Sequence, residues 1–371
     1  MESRIKIGEV ITIFDKKNSE HHDYPVIGIN RDKSFMPTVA NLDGVDLSKY
    51  KIVTKGTFVF SGMQTGRDVC IRIGLYDDEE PALISPAYTT FVVDEKKGIL
   101  PEYFFMFFNR DESDRYGWFI SDSSVRSNLD LPRFLDIEIP LPSIDEQRKV
   151  VNAWRALREI KFQNEKKAEP LMQVCQSFIQ ELKHKYPLQE IGPFIEECDE
   201  RNASSSFNES NLRGVTSEGI FDFSKAKTQG IDFSKYKIVQ KNNFAYNPSR
   251  INLGSIAINN EESYIISPMY IVFKVKNESS SIILPDFLNI YFRRKEFLRS
   301  TLFYASGSVR DTFSFKEMQR VRVPLPPIDI QQAIINIYNC AKEAKQIAAE
   351  ADRLSRDVCP MLIQHVINQA L

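Results

Sequence analysis

The sequence predicts an α+β fold: two α/β domains in tandem, separated and followed by long helices that pair as an antiparallel coiled coil, with pseudo-two-fold symmetry. Three observations predict it. First, the chain contains itself twice: GVDLSKYKIV at 44–53 returns as GIDFSKYKIV at 230–239, ISPAY at 84–88 as ISPMY at 266–270, and IPLPSIDEQ at 139–147 as VPLPPIDIQ at 323–331. Ser124-Val125-Arg126 returns as Ser308-Val309-Arg310, and Gly8, Asp15 and Asn18 match Gly192, Asp199 and Asn202. A shift of 184 positions holds at both ends, and a period that long means two whole domains rather than a solenoid of short repeats. Second, each copy carries short β-branched and aromatic runs followed by helical ones. Third, each copy closes with a proline hinge and a long stretch of helical periodicity. The expected domains are therefore 1–143, a spacer helix over 144–187, 188–327, and a second spacer helix over 328–371.

Taken in order, the strand-like runs of the first copy are Thr57-Phe58-Val59-Phe60, Val69-Cys70-Ile71-Arg72-Ile73 and Thr89-Thr90-Phe91-Val92-Val93. Those of the second are Asn243-Phe244-Ala245-Tyr246, Ser255-Ile256-Ala257-Ile258 and the segment 270–275. PEYFFMFFNR at 101–110 and PDFLNIYFRR at 285–294 place proline in a first helical turn and recur at helical spacing. The aromatic density of Tyr103, Phe104, Phe105, Phe107 and Phe108 suits a core-facing helix better than a base-stacking surface. Pro140-Leu141-Pro142 and Pro324-Leu325-Pro326-Pro327 must be extended, because proline disfavours α conformation in the residue before it. Asp145 and Asp329 then stand where helix amides and dipole favour a carboxylate.

Along the first long helix the apolar positions are Val151, Trp154, Leu157 and Ile160, then Leu171, Cys175, Phe178 and Leu182. In the second, Ile334, Ile337, Ala341, Ala344, Ala348 and Ala351 alternate three- and four-residue steps, the mark of a coiled-coil seam. Pro170 and Pro360 are expected to interrupt or kink their helices. Asp145 to Glu169 spans about 37 Å at 1.5 Å per residue, close to one turn of duplex DNA at about 34–36 Å. Periodicity alone fits a ruler between two half-sites as well as a structural strut or dimerisation stalk.

Composition narrows the field. The 371 residues, 42% hydrophobic and 11% aromatic, suffice for two ordinary cores. Met1-Glu2-Ser3-Arg4 leads into short alternating apolar residues rather than a signal peptide's apolar region, and no apolar stretch approaches membrane-spanning length. Cys70, Cys175, Cys198, Cys340 and Cys359 form no CxxC pair, so reduced thiols and a cytoplasmic location are expected. His21 and His22 read as a solvated turn, and Asp77-Asp78-Glu79-Glu80 as a solvated face rather than a metal site. Net charge is −2; residues 1–143 hold 17 basic and 23 acidic side chains, residues 188–327 hold 18 and 16. A pseudo-symmetric chain suits duplex DNA, but this balance argues against a broad phosphate grip by the chain alone, so any grip is local or supplied largely by basic partners. There is no GxGxxG after a strand, no P-loop and no amino-methyltransferase motif; Leu325-Pro326-Pro327-Ile328 lacks that motif's polar and aromatic ends. Asp94-Glu95-Lys96 has no upstream acidic partner for a nuclease site. No catalytic residue, metal site or cofactor is assigned to this chain.

The repeated boundary motifs PLPSIDEQ at 140–147 and PLPPIDIQ at 324–331, with NPSRINLGSIA at 247–257 and SGSVRDTFS at 306–314, resemble the specificity (S) subunit of type I restriction-modification enzymes. The resemblance spans nearly the whole chain. It implies two target-recognition domains, each reading one half of a split duplex-DNA target, with helices that set the spacer and dock two methyltransferase (M) subunits. S-adenosylmethionine would then belong to the methyltransferase partner, and ATP and Mg to a restriction (R) nuclease partner where one is present. Ile330 departs from the motif, standing where the first copy has Glu146. The copies also match poorly over 54–83 against 240–265, as expected if each half reads a different word.

Major-groove reading relies on Arg at guanine and Asn or Gln at adenine. The divergent segments offer Gln64, Thr65, Arg67 and Arg72 in the first copy, and Tyr246, Asn247, Ser249, Arg250 and Asn252 in the second. Arg126 and Arg310 share the matched frame SVR and so suit phosphate contacts. Lys49 and Lys51, inside the repeated SKYKIV, read as scaffold. Trp154, Leu157, Ile334, Ile337, Ala341 and Ala348 are the expected partner-docking positions on the helices. Alternative readings are a recognition subunit of a related system without ATP-dependent cleavage, a combined DNA-modifying enzyme, and a pure scaffold.

Overall fold

The computed structural model describes residues 4–63, 65–122, 127–224, 229–304 and 312–370. They fall into two units, 1–163 with 347–371 and 164–346. The first unit runs β1 (Arg4–Lys6), α1 (Ile7–Val10), β2 (Ile11–Phe14), β3 (Val26–Ile29), β4 (Phe35–Pro37), β5 (Lys51–Val53), β6 (Phe58–Ser61), α2 (Thr65–Asp68), β7 (Arg72–Leu75), β8 (Ala82–Ile84) and β9 (Thr89–Val93). α3 (Pro101–Phe108), α4 (Asp111–Ile120), α5 (Leu131–Leu135) and β10 (Glu138–Pro140) follow, and the chain enters α6 (Ile144–Lys185). The second unit runs β11 (Leu188–Glu190), β12 (Ile195–Glu197), β13 (Leu212–Val215), β14 (Phe221–Phe223), β15 (Lys237–Val239), β16 (Phe244–Tyr246), β17 (Ile256–Ile258), β18 (Tyr264–Ile266) and β19 (Ile271–Val275). It continues through α7 (Pro285–Phe292), α8 (Lys295–Tyr304), α9 (Phe315–Gln319) and β20 (Arg322–Pro324) into α10 (Ile328–Ala370).

The two units repeat one topology. An antiparallel sheet of order β2-β9-β6-β7 answers to β12-β19-β16-β17, and a mixed sheet β4-β3-β8-β5 to β14-β13-β18-β15. A two-stranded ribbon, β1 with β10 or β11 with β20, closes each globular part where its long helix begins. Phe58 stacks on Phe91 across one sheet at 5.1 Å between centroids, and Phe244 on Phe273 across the other at 4.8 Å. Phe104, Phe108 and Phe134 complete the first core; Phe287, Phe292 and Phe313 complete the second. All of Tyr103 to Phe108 are buried, so that helix is core rather than a stacking surface.

The recurring motifs are structural braces. Asp46 and Asp232 accept from Ser48 N and Ser234 N and cap matching 3-10 turns, which explains the GxDxSKYKIV frame. Lys51 donates to Tyr88 O at 2.8 Å and lies 3.8 Å from Asp15, while Lys237 lies 3.2 Å from Asp199, so both lysines are scaffold. Asn18 and Asn202, nearly inaccessible, each tie two backbone carbonyls. The hinge glutamine is fully buried in both copies. Gln147 accepts from Leu100 N and donates to Gly98 O and Pro142 O; Gln331 accepts from Leu284 N and donates to Ile282 O and Pro326 O. It fastens the hinge to the start of α3 or α7. The departure at Ile330 has a local cause. Glu146 works with Ser143 as a capping box at α6, and the second copy replaces both, with Pro327 and Ile330, so that Ile330 packs on the core instead.

Each unit holds a stretch of both long helices. In the first, Val150, Val151 and Trp154 share a core with Ile363, Val366 and Ile367, and Lys161 donates to Asp352 at 2.8 Å, so the two stretches run antiparallel. In the second, Cys175, Ile179 and Leu182 pack with Ile334 and Ile335. Ala341, Ala344, Ala348 and Ala351 are all buried, as a close-approach seam requires. Ile160 and Phe178 differ from expectation: both are exposed, and Ile179 holds the inward place assigned to Phe178. The heptad spacing Ala168, Cys175, Ile179, Leu182 sets that phase. Neither helix breaks at its internal proline; α6 continues past Pro170 and α10 past Pro360. The expected strand over 69–73 starts only at Arg72, because Val69 takes a left-handed φ of 48°. Among the described residues no helix is long and apolar enough to cross a membrane.

Candidate nucleic-acid interface

In both units the described polar residues singled out from the sequence lie on or at the ends of the connection between equivalent strands, β6 to β7 for Thr65, Arg67 and Arg72, and β16 to β17 for Tyr246, Asn247, Ser249, Arg250 and Asn252. Sequence alone could not align these connections. The topology does.

In the first unit the connection leaves β6 through Gly62, where a Cβ would lie 1.7 Å from Leu129 O. Gly66 N donates to Ser127 O at 2.8 Å, and Thr65 Oγ1 donates to Gly62 O at 3.0 Å. These bonds lock α2 and present Asp68 to three guanidinium groups. Arg67 Nε donates to its carboxylate at 3.1 Å and Arg72 at 2.5 Å, while Arg31 donates to the Asp68 carbonyl at 3.1 Å. Burial by itself would lift the Asp68 carboxyl, but Arg67 and Arg72 outweigh it and hold the group below the usual carboxylate range. One carboxylate among three arginines leaves a local excess of positive charge on an otherwise acidic domain.

Behind this surface Asp114 of α4 accepts from Ile71 N at 2.9 Å and from the buried Lys33 Nζ at 2.7 Å. Burial pushes the Asp114 carboxyl up, against the pull of Lys33. The pair ties the 30–34 turn and the end of the connection to one helix.

In the second unit Asn247 Oδ1 accepts from Ser249 N at 3.0 Å, and Asn247 N donates to Ser255 O at 3.0 Å. This closes a turn that displays Ser249 and Arg250 to solvent, with Asn252 half-buried beside them. Glycine is required at 254 on two counts: its φ is 95°, and a Cβ there would lie 2.3 Å from Ser217 O. Arg293 fastens the turn from behind, donating to Gly254 O at 2.6 Å and Ser217 O at 2.9 Å.

Arg67, Ser249 and Arg250 are therefore exposed, and Arg72 and Asn252 partly so. Thr65, Tyr246 and Asn247 are corrections. Thr65 and Tyr246 are fully buried and Asn247 nearly so, because they build the connection from inside; Tyr246 stacks edge-on to Phe273 and Phe313 in the core. Gln64, Arg126 and Arg310 lie outside the described residues. On the helices Trp154, Ile334, Ala341 and Ala348 are buried within their own units, and Leu157 and Ile337 are partly buried. The acidic run is engaged in ion pairs, Asp77 with Arg158 at 2.5 Å and Glu79 with Lys55. Among the described residues no cluster of three or more His, Cys, Asp or Glu side chains is placed to hold a metal.

Sequence reading missed one matched clamp. Arg110, after α3, donates to Gln364 of α10; Arg294, after α7, donates to Gln180 of α6 at 2.8 Å. The pairs stand at the same 184-residue offset, and the repeated Ile-Gln of 179–180 and 363–364 was the available signal.

The family model of the type I restriction modification DNA specificity domain matches residues 3–170 and again 183–339. The chain belongs to that family. The crystal structure of the S subunit of a type I restriction-modification system from M. genitalium is similar over 98% of this chain and 96% of that one, at a TM-score of 0.66 and 11% identity, which shows a shared fold. The HsdS subunit from Thermoanaerobacter tengcongensis aligns over 100% of this chain and 97% of that one at 16% identity, with a TM-score of 0.39 that supports no structural inference. No curated protein matches the chain. The specificity domain thus occurs twice, once for each repeat read from the sequence.

Proposed function

We propose that the chain is the non-catalytic DNA-recognition subunit of a type I restriction-modification complex. Each target-recognition domain reads one half of a bipartite duplex target through its strand connection. The paired helices set the spacer and dock two methyltransferase subunits, which bring S-adenosylmethionine; ATP and Mg belong to a restriction subunit where one joins. The observation that carries this reading is the contrast between matched frames and unmatched tips. Topology, caps, buried glutamines and clamps repeat, whereas the exposed side chains on the equivalent connections differ, Arg67 against Ser249 and Arg250. A reader of two different words needs that division between frame and tip.

An apolar groove of about 580 Å³ in the second unit supports the docking role. It runs between the stretches of α6 and α10, lined by Phe178, Leu182, Tyr186, Ile330, Ile334 and Ile337. It is open to an amphipathic helix of a partner.

The test is to map methylated bases in cells that carry the complex with wild-type chain, Arg67→Ala or Arg250→Ala. Each substitution is expected to relax one half-site only, at about 1–3 kcal/mol for a lost base contact. Unchanged words in both variants would overturn the reading.

A further inference from the structure

The ends of α4 and α8 repeat a pattern that neither core nor scaffold accounts for. Glu112, Arg115 and Phe119 stand at the same 184-residue offset from Glu296, Arg299 and Phe303. Phe119 is 79% exposed and Phe303 83%, the two most exposed aromatic side chains among the described residues. Their neighbours Trp118, Leu302 and Tyr304 are also more than half exposed. Single exposed apolar residues are ordinary; the same exposed phenylalanine in both copies of a divergent repeat, each with exposed apolar company, is not.

The position of these tips names the occupant. In the first unit α2 packs on α4, and Gly117 lets α4 lie against Ile71 just beyond α2, since a Cβ there would lie 2.4 Å from it. In the second unit α8 packs on the turn Ile251–Leu253, directly after Arg250. The helix that carries each tip therefore packs against the connection that carries the exposed arginine. One helical turn before each phenylalanine comes an exposed arginine, Arg115 or Arg299. Among the described residues Arg115 forms a surface pair with Glu112 at 3.2 Å, which is weak enough to exchange for phosphate. A cation one turn from an apolar ring matches a backbone phosphate beside a base face.

We propose that Phe119 and Phe303 are wedges, each entering one half of a bound duplex and partly unstacking a base step there, as apolar side chains do in DNA-bending proteins. Arg115 and Arg299 hold the adjoining phosphates. The proposal rests on the reading that the chain binds a bipartite duplex. It goes beyond that reading in assigning specificity to deformability as well as to base edges, because flexible pyrimidine–purine steps unstack most readily.

The experiment uses the full chain assembled with its methyltransferase partner and duplexes of the mapped target. 2-Aminopurine is placed in turn at each half-site position other than the methylated adenine. With wild-type chain its emission should rise at one step in each half. Phe119→Ala should abolish the rise in one half only and Phe303→Ala in the other, each weakening binding by roughly tenfold. Phe119→Leu and Phe303→Leu, which keep an apolar wedge, should retain both rise and affinity. Unchanged emission and affinity in both alanine variants would overturn the proposal. So would normal emission with loss of the methyltransferase from the complex, which would make the tips a protein contact. Wild-type chain that binds no bipartite duplex would instead remove the underlying reading of function.

Discussion

Lys33 and Asp114 show what a single pair contributes behind the β6–β7 connection. Both side chains are largely withdrawn from water, at 5% and 19% exposure, and they meet at 2.7 Å. Removing one member of such a pair leaves the other buried and uncompensated, which costs about 3–5 kcal/mol. Asp114→Asn should therefore destabilise the first unit by that order and speed amide exchange at Ile71, whose N–H also bonds Asp114. Replacing both members with apolar residues of similar volume should recover most of the loss, and a double-mutant cycle measures the coupling. None of this was legible in the sequence, where Lys33 and Asp114 are ordinary surface types 81 positions apart. Lys51 was legible as scaffold, because a repeat keeps its braces while its tips change. Tyr246 misled for a definable reason. Phe244, Ala245 and Tyr246 are all buried, so the strand is covered on both faces and its residues do not alternate inward and outward.

At the scale of elements the hinge glutamine decides how firmly a helix is set on its domain. Gln331 satisfies Leu284 N, Ile282 O and Pro326 O from a fully buried position. Gln331→Leu keeps the volume and strands these backbone groups, each costing about 1–3 kcal/mol when left unmade. The expected outcome is a fall in denaturant midpoint larger than that from Ser143→Ala, which loses only a helix cap worth about 1 kcal/mol. A midpoint shift no larger than the cap variant's would show that the glutamine is replaceable. The hinge itself was plain from its prolines, as were both core helices from their aromatic spacing. Helix phase was less plain. Phe178 and Ile179 are both large and apolar, and only the buried heptad partners Cys175 and Leu182 choose between them. The strand over 69–73 failed at Val69, where a β-branched residue takes a turn conformation its propensity opposes.

For the whole molecule the period of 184 residues announced two equivalent domains, and the repeated topology is its consequence. What the period concealed is that each unit borrows from the far long helix: Arg110 holds Gln364 of α10, and Arg294 holds Gln180 of α6. Both helices pass from one unit to the other inside continuous α-helix, between Gln163 and Asn164 and between Gln346 and Ile347. Length added at those two points leaves the clamps, the hinges and the strand connections untouched. Four residues inserted into each helix there add about 6 Å of rise, close to two base-pair steps at about 3.4 Å. They also form a stutter that a coiled coil absorbs by locally unwinding. If the helices measure the gap, methylation mapping should return the same two half-site words separated by one or two more base pairs. A gap that stays fixed while the complex still methylates would place the measuring element elsewhere. An altered word with an unaltered gap would contradict the separation of ruler from reader, since nothing inserted there touches Arg67, Arg250 or the frames that hold them.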